Sequence, residues 1–537
     1  MYKRGLYHDW VPKPVQLLMI FMSLFPLLVV SGVYVNNIND MVGGMGAMPE
    51  VFSLANYASF IGMATVMPLL LRTKQYFRSK EIVVGSLLLL CLLSWVCYST
   101  DDPNLIVFAS FFIGVFKMFG LIEFILPIYF IISPTMDRTR FYPIFYPISI
   151  LGGQLFGYYF SLLAYNQNWQ YVYLFIVIYM LVCALLAVIL MHNSRGSKKV
   201  PLYQFSWLSM IWFAVIMMVL NYILVYTKFH GWFQAPVIRW GLAAFLLMSV
   251  GFIVIQKTLK RPFLSMNAFK RKNVYSSLIM IALMGIFLGS SSMQSTFMIG
   301  VLKYSFQVTA LINLAMIPGI IIGGIVSFVW FKRDWNLKGL VLIGFGSYLL
   351  AQLIIYLLFA PEVQVGYFIF PTILKGLGLC VLYISLASYC TENLSMADQI
   401  PAISVLVVFR SFLGPALFGS ILSWVMYKLQ IQNVTNLATQ MDAADSFALI
   451  RGGGMGLYGT VQIQSILLAV KKLFGYTIVS GIIVMIYVGL HRFNPIHHRR
   501  RIFISKLTRG ESTKGYRLYG SLLEEEEAME EALVTVV

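Results

Sequence analysis

Apolar residues run along this chain in long blocks separated by short polar stretches, and about 20 such residues are what a helix needs to cross a bilayer. Blocks near 15–35, 51–71, 82–99, 105–131, 144–165, 170–191, 204–226, 236–256, 275–298, 307–331, 339–359, 365–389, 401–427 and 473–491 predict about fourteen spans. The intervening stretches alternate in charge. Arg72, Lys74, Arg78 and Lys80 follow the second block, Arg138 and Arg140 the fourth, and Arg195, Lys198 and Lys199 the sixth. The densest run, Lys257, Lys260, Arg261, Lys270, Arg271 and Lys272, follows the eighth. Asp40, Glu50, Asp101, Asp102 and Glu362 lie at the exits of odd-numbered blocks, with only isolated bases such as Lys228 and Lys303, so the positive-inside rule expects both termini in the cytoplasm.

The chain also repeats itself. Ser149 to Gly157 (SILGGQLFG) returns 262 residues later as Ser411 to Gly419 (SFLGPALFG). Upstream of each, Lys117-Met-Phe-Gly120-Leu121 returns 258 residues later as Lys375-Gly-Leu-Gly378-Leu379. These echoes lay block four over block twelve and block five over block thirteen. A shift of eight helices preserves orientation, so the expected halves are parallel repeats of six helices about an axis along the membrane normal, with blocks seven and eight inserted between them. A repeat of this kind in a membrane chain points to a transporter with its binding site between the halves.

Composition narrows the class further. With 59% hydrophobic residues, 11% charged residues and a mean hydropathy of +0.80, the chain is an integral membrane protein. Its net charge of +18 sits in alternate loops, the distribution of membrane topology and not of nucleic-acid binding. The basic start (Lys3, Arg4, Lys13) imitates a signal peptide, but the apolar run continues to about Val35 without a cleavage site and reads as a retained span. Cys91, Cys97, Cys183, Cys380 and Cys390 all fall in apolar blocks without metal-ligand spacing, which reads as buried free thiols. No cofactor or metal site is expected. Gly452 to Gly456 lacks the Lys-Ser/Thr of a phosphate loop, and His497-His498 belongs to a basic tail.

Ionisable residues inside apolar blocks are the functional candidates, because a charge at the bilayer centre costs at least about 2.5–3.5 kcal/mol on insertion scales. Lys117, Lys375 and Arg410 are the cations, and Glu123 is the one carboxylate well inside a block and the candidate for proton coupling. Lys117 and Glu123, six residues apart, point about 120° apart around one helix and are not expected to touch. The alternative for each cation is a helix-end cap or an internal pair. Asn36 and Asn37 close the first span, either as a cap or lining a cavity. Pro147, Gly152, Gly153, Gly157, Gly414, Pro415 and Gly419 read as close-packing and kink positions.

Arg261-Pro-Phe-Leu-Ser-Met-Asn-Ala-Phe-Lys-Arg-Lys-Asn273 resembles the segment between spans eight and nine of the fourteen-helix drug/proton antiporters of the major facilitator superfamily, the EmrB/QacA type. Gly231-Trp232, Pro147 to Gly157 with Trp169 to Phe175, Leu302 to Pro318 and Arg410 to Gly414 carry the same resemblance, which covers about residues 15–491. It implies an exporter fold with alternating access in a bacterial inner membrane, and some members of that branch work with a periplasmic adaptor and an outer-membrane channel. The chain departs from the pattern in three places. Ser31 or Gly32 stands where the branch carries an intramembrane aspartate, Leu71 to Lys80 lacks the aspartate and second glycine of its gating loop, and Ser110 occupies the usual arginine position.

The expected molecule is therefore an all-α polytopic membrane protein of the major facilitator fold. Residues 1–14 form a cytoplasmic start, 15–191 the first six-helix bundle, 204–256 the inserted pair, and 275–491 the second bundle, with a non-cytoplasmic loop at about 428–472. The tail, 492–537, passes from basic to acidic and is expected to be disordered past Lys506. Its expected function is proton-coupled export of amphipathic small molecules. An organic-anion carrier, favoured by the surplus of intramembrane bases, and a transport-inactive binding or sensor protein are the alternatives; a membrane-embedded enzyme ranks last. In the family's core, spans one, four, nine and twelve line the cavity, which would set Lys117 and Lys375 facing one another across it.

Overall fold

The computed structural model describes residues 6–8, 10–30, 33–133, 138–193, 205–259, 262–392, 394, 396–439 and 453–493. Twelve described helices are long and apolar enough to cross a membrane. They are α2 (Pro49–Leu69), α3 (Ser79–Ser99), α4 (Pro103–Tyr129), α6 (Gln170–Leu190), α7 (Trp207–Tyr226), α8 (Pro236–Thr258), α9 (Lys272–Gly300), α10 (Phe306–Lys332), α11 (Leu337–Leu357), α12 (Val365–Thr391), α13 (Asp398–Ala438) and α14 (Gly456–Leu490). By length and apolarity alone, the count among the described residues is thus corrected from the expected fourteen to twelve. The first block gives α1 (Lys13–Val29), only 17 residues long, and the fifth gives α5 (Arg138–Asn166), whose tyrosines, prolines and amide side chains lower its apolarity. After α1 the first block breaks into two short helices, Val33–Asn36 and Ile38–Met45.

Packing recurs between the two parts of the chain. α4 lies against α1, α2 and α3, and α12 lies against α9, α10 and α11; α6 packs on α3 as α14 packs on α11. The equivalence extends to single side chains. Lys80 Nζ donates to the Val188 carbonyl at 2.6 Å, covering the end of α6, and Lys338, 258 residues on, covers the end of α14 through the Gly489 carbonyl. A Cβ on Gly120 would fall 2.9 Å from Ser86 Oγ, and one on Gly378 would fall 2.8 Å from the Gly344 carbonyl oxygen, again at an offset of 258. One hydrophobic core takes its buried members from Leu6 to Met191, and two others take theirs from Val274 to Phe493.

Close backbone approach holds the helix pairs together, as expected in lipid, where small residues let backbones touch. On the α2–α4 pair, a Cβ on Gly62 would sit 2.1 Å from the Phe111 carbonyl oxygen and one on Gly114 1.9 Å from that of Ser59. The α10–α12 pair repeats this with Gly319 against Ile373 at 1.9 Å and Gly376 against Met316 at 2.3 Å. Gly414 and Gly419 of α13 meet Gly285 and Gly289 of α9, so that a Cβ on Gly285 would fall 2.4 Å from the Gly414 carbonyl. Between the two parts, α5 packs on α10 and α12, and α2 packs on α13. There Pro147 fills the space over Gly324, and Ser404 Oγ donates to the Ala64 carbonyl at 2.7 Å.

The second and seventh helices share a face: α7 rests on α2 and α13, where Asn221 Nδ2 donates to the Leu54 carbonyl at 3.0 Å. α8 packs chiefly on α7 and is the least buried of the twelve. The loop expected over about 428–472 is in large part helical, because α13 runs on to Ala438 and α14 begins by Gly456. Asn433 explains the extension: its amide donates to the Ser465 carbonyl at 3.3 Å and accepts from Lys472 Nζ at 3.0 Å, pairing the two helix ends. The rest of that loop, 440–452, and the tail beyond Phe493, including His497 and His498, lie outside the described residues.

Replacing Gly285 with Ala should lower stability by about 1–3 kcal/mol, since the added methyl must push α9 from α13. Gly153, where a Cβ meets nothing within 4 Å, should tolerate Ala without loss. Thermal unfolding of the two purified variants compares them, and equal melting points would refute the close-packing account.

Candidate functional site

Lys117 lies midway along α4, 3% exposed, and its Nζ donates to the Leu28 carbonyl of α1 at 3.1 Å. Lys375 lies midway along α12, 4% exposed, and its Nζ donates to Gln294 Oε1 of α9. Each lysine therefore reaches from the fourth helix of its repeat to the first. They occupy equivalent places, and each donates to an oxygen of its own half, which offsets part of its desolvation.

Glu123 is fully buried on α4, and its partner is Lys74, at 3.2 Å. Lys74 stands on a short helix, Leu70–Tyr76, that continues from α2 and is only 12% exposed. Sequence reading had counted Lys74 among the loop bases. What hid it is that a base at a block's edge looks the same whether it points to water or folds back along the neighbouring helix. Glu123 Oε1 has no partner among the described residues. Arg72, two residues before Lys74, places its guanidinium 5.9 Å from the Phe205 ring, where α7 begins.

Arg410 sits in a five-residue π-turn, Phe409–Leu413, that interrupts α13. Its guanidinium carbon lies 4.6 Å from the ring centre of Tyr383 on α12 and 5.4 Å from that of Tyr146 on α5. Cation–π attraction of this geometry holds a charge without neutralising it. Neither tyrosine was singled out in the sequence, where they are two of 31.

Asn37 is fully buried at the break between Val33–Asn36 and Ile38–Met45, does not cap the second of these, and neither of its amide atoms has a partner among the described residues. Asn36 ends the first short helix. Close by in sequence, Tyr34 Oη lies 2.6 Å from Ser110 Oγ and accepts from Tyr173 Oη at 3.1 Å, so Ser110 belongs to a neutral chain linking the first block, α4 and α6. Gly152 faces Phe25, Gly157 is buried on α5, and Pro415 opens the straight part of α13 after the π-turn. The five cysteines are free thiols, four buried and Cys91 half-buried.

Neither a protein-family model nor a curated protein matches this sequence. Solved structures do match. A POT family transporter in complex with a thioalcohol-conjugated peptide aligns with a TM-score of 0.55 and 14% identity, over 88% of this chain and 96% of that one. A POT family transporter in complex with 5-aminolevulinic acid gives 0.56 and 14%, over 90% and 98%. The nucleoside transporter NupG gives 0.52 and 13%, over 89% and 100%. At such identities the likeness establishes the fold: this is an all-helical polytopic membrane protein with the major facilitator type of architecture.

Two predictions follow from the charges. Lys74→Met should destabilise the protein by about 3–5 kcal/mol, because it strands the buried Glu123 carboxylate, and adding Glu123→Gln should recover most of that loss. Thermal unfolding of the two single variants and the double decides this; additive losses would mean the pair is not coupled. At the end of α14, His491 Nε2 lies 3.1 Å from Tyr389 Oη, and burial first, then the nearby Lys272 and Lys338, hold its pKa below the ordinary 6.5. The folded chain therefore takes up this proton later than the unfolded chain does. Stability unaffected at higher pH should fall as pH drops through 6.5, until the folded group is itself protonated. Melting curves of wild type and His491→Gln should diverge on acidification, with wild type losing more; parallel curves would discount His491.

Proposed function

We propose that this chain is a secondary active transporter that moves small molecules by alternating access between α1–α6 and α9–α14, with α7 and α8 as an inserted pair. The observation that carries the reading is the repeated geometry of Lys117 and Lys375, two buried cations at equivalent mid-helix positions, each bound to the first helix of its own repeat. The fold likeness to peptide and nucleoside transporters supports the class. In this reading α1 and α5 cross the bilayer as well: α5, 29 residues long, reaches about 43 Å at 1.5 Å per residue and packs among spanning helices. That restores the fourteen-helix plan of the drug/proton antiporters, with both termini cytoplasmic in a bacterial inner membrane.

Proton coupling is assigned to Glu123. A proton on its carboxyl removes the charge that holds Lys74, and so loosens the end of α2 from α4. The α2 helix also bears on α13 of the other half, so a change at this pair reaches the seam between the halves. Export of amphipathic compounds driven by the proton gradient is the direction the sequence resemblance favours.

The experiment is flux in reconstituted vesicles with and without an imposed pH gradient. Transport of an amphipathic substrate should follow the gradient and collapse with an uncoupler, and Glu123→Gln should abolish the dependence on pH while the variant still inserts. Unchanged pH-dependent flux in that variant would remove Glu123 from the mechanism; absence of flux for every amphiphile tried would overturn the transport reading.

A further inference from the structure

We infer that Arg410, Tyr146 and Tyr383 form a receptor for the carboxylate of an apolar or aromatic substrate, an inference that rests on the transport reading for its biological direction. Arg410 is half-buried at the seam of the two halves, clasped by a tyrosine from each, and the two rings stand 6.4 Å apart at 63°. The rings attract the guanidinium through their π-systems and bring no negative charge. A guanidinium carries five N–H donors in a rigid planar fork matched to the two oxygens of a carboxylate. The Nε–H of Arg410 is buried and has no hydrogen-bond acceptor among the described residues. Nor does any described carboxylate form an ion pair with Arg410; the ion pairs among the described residues join Lys74 to Glu123 and Arg78 to Glu81.

A second cation strengthens the bias. Lys375 lies eight residues before Tyr383 on α12, about 12 Å along the helix, and its hydrogen-bond partner Gln294 is neutral. Lys375 and Arg410 thus both belong to the second half, and neither forms an ion pair among the described residues. Desolvated charge of that kind is retained at a cost, which an incoming anion offsets and a cation adds to. The surroundings set the rest of the ligand: Tyr142 lies against Tyr146 with ring centres 5.6 Å apart, Phe409 adjoins Arg410 in the chain, and both, like Ile150, Met316 and the two clasp tyrosines, are partly buried flanks of one apolar core. The π-turn places the arginine there, in keeping with the frequency of such turns at functional sites. Because the clasp joins the halves, a carboxylate that docks on the edge of the guanidinium binds best while both rings are in place, and so favours the conformation described.

The test uses the full chain in detergent micelles with benzoate, hydrocinnamate and octanoate as probes, each against its primary amide, read by direct binding and thermal shift. At least one acid should bind about tenfold more tightly than its amide and raise the melting point. Arg410→Gln should erase that preference, and Arg410→Lys, which keeps the charge and loses the fork, should weaken the acid about tenfold while leaving the amide unchanged. The lysine variant keeps the test decisive if the glutamine variant does not fold. No preference for any acid, or an undiminished preference in Arg410→Lys, would overturn the assignment. Flux in vesicles separates this from the parent reading. Arg410-dependent binding without flux retains the receptor and sinks transport, whereas flux of neutral or cationic compounds without acid binding does the reverse.

Discussion

In hydrocarbon, two helices gain little by hiding apolar side chains from each other, so what binds them is contact close enough for dispersion between backbones. The helix pairs of this chain meet that constraint with glycine against carbonyl, at α2–α4 and again at α10–α12, and with glycine against glycine at α9–α13. Everything else is positioned by those contacts. The fourth helix of each repeat is pinned to the second, which fixes the depth of Lys117 and Lys375 and leaves the first helix as the nearest source of an oxygen. A bulkier residue at Gly62, Gly114, Gly285, Gly319 or Gly376 would meet backbone and move a helix axis.

The repeat was legible because its echoes involve residue types that are rare inside apolar blocks. Lysine in a spanning segment is uncommon enough for Lys117 and Lys375 to stand out, and glycine clusters beside them fixed the offset. The same offset relates Lys80 to Lys338 and Ser86 to Gly344, but those pairs were lost in the noise: bases are expected at block edges, and a serine matched to a glycine carries no visible identity. Pairings across space were not legible at all. Nothing in the linear order distinguishes Lys74 from Arg78, yet one is buried against Glu123 and the other caps α3 with Glu81 at the surface. Helix ends fared worst where polar residues continue a helix, as at Asn433, because a pattern of hydrophobicity stops at the membrane edge and hydrogen bonding does not.

The repeats agree in backbone and in one buried lysine each, and they differ in the polar groups around it. In the first half the buried Glu123 carboxylate is already engaged by a lysine, and Ser110 takes part in a neutral tyrosine chain. The second half has a neutral network of its own: Gln352 donates to Ser290 Oγ and accepts from Thr477 Oγ1 at 3.4 Å, tying α11 to α9 and α14. Beyond that network the second half holds Lys375 and Arg410, neither with an ion pair among the described residues. Glu123, paired with Lys74, thus lies on one side of the seam together with Lys117, and Lys375 and Arg410 lie on the other. α2 touches α13 and α5 touches α12, so the helices that carry Arg410 and Lys375 each contact the other half.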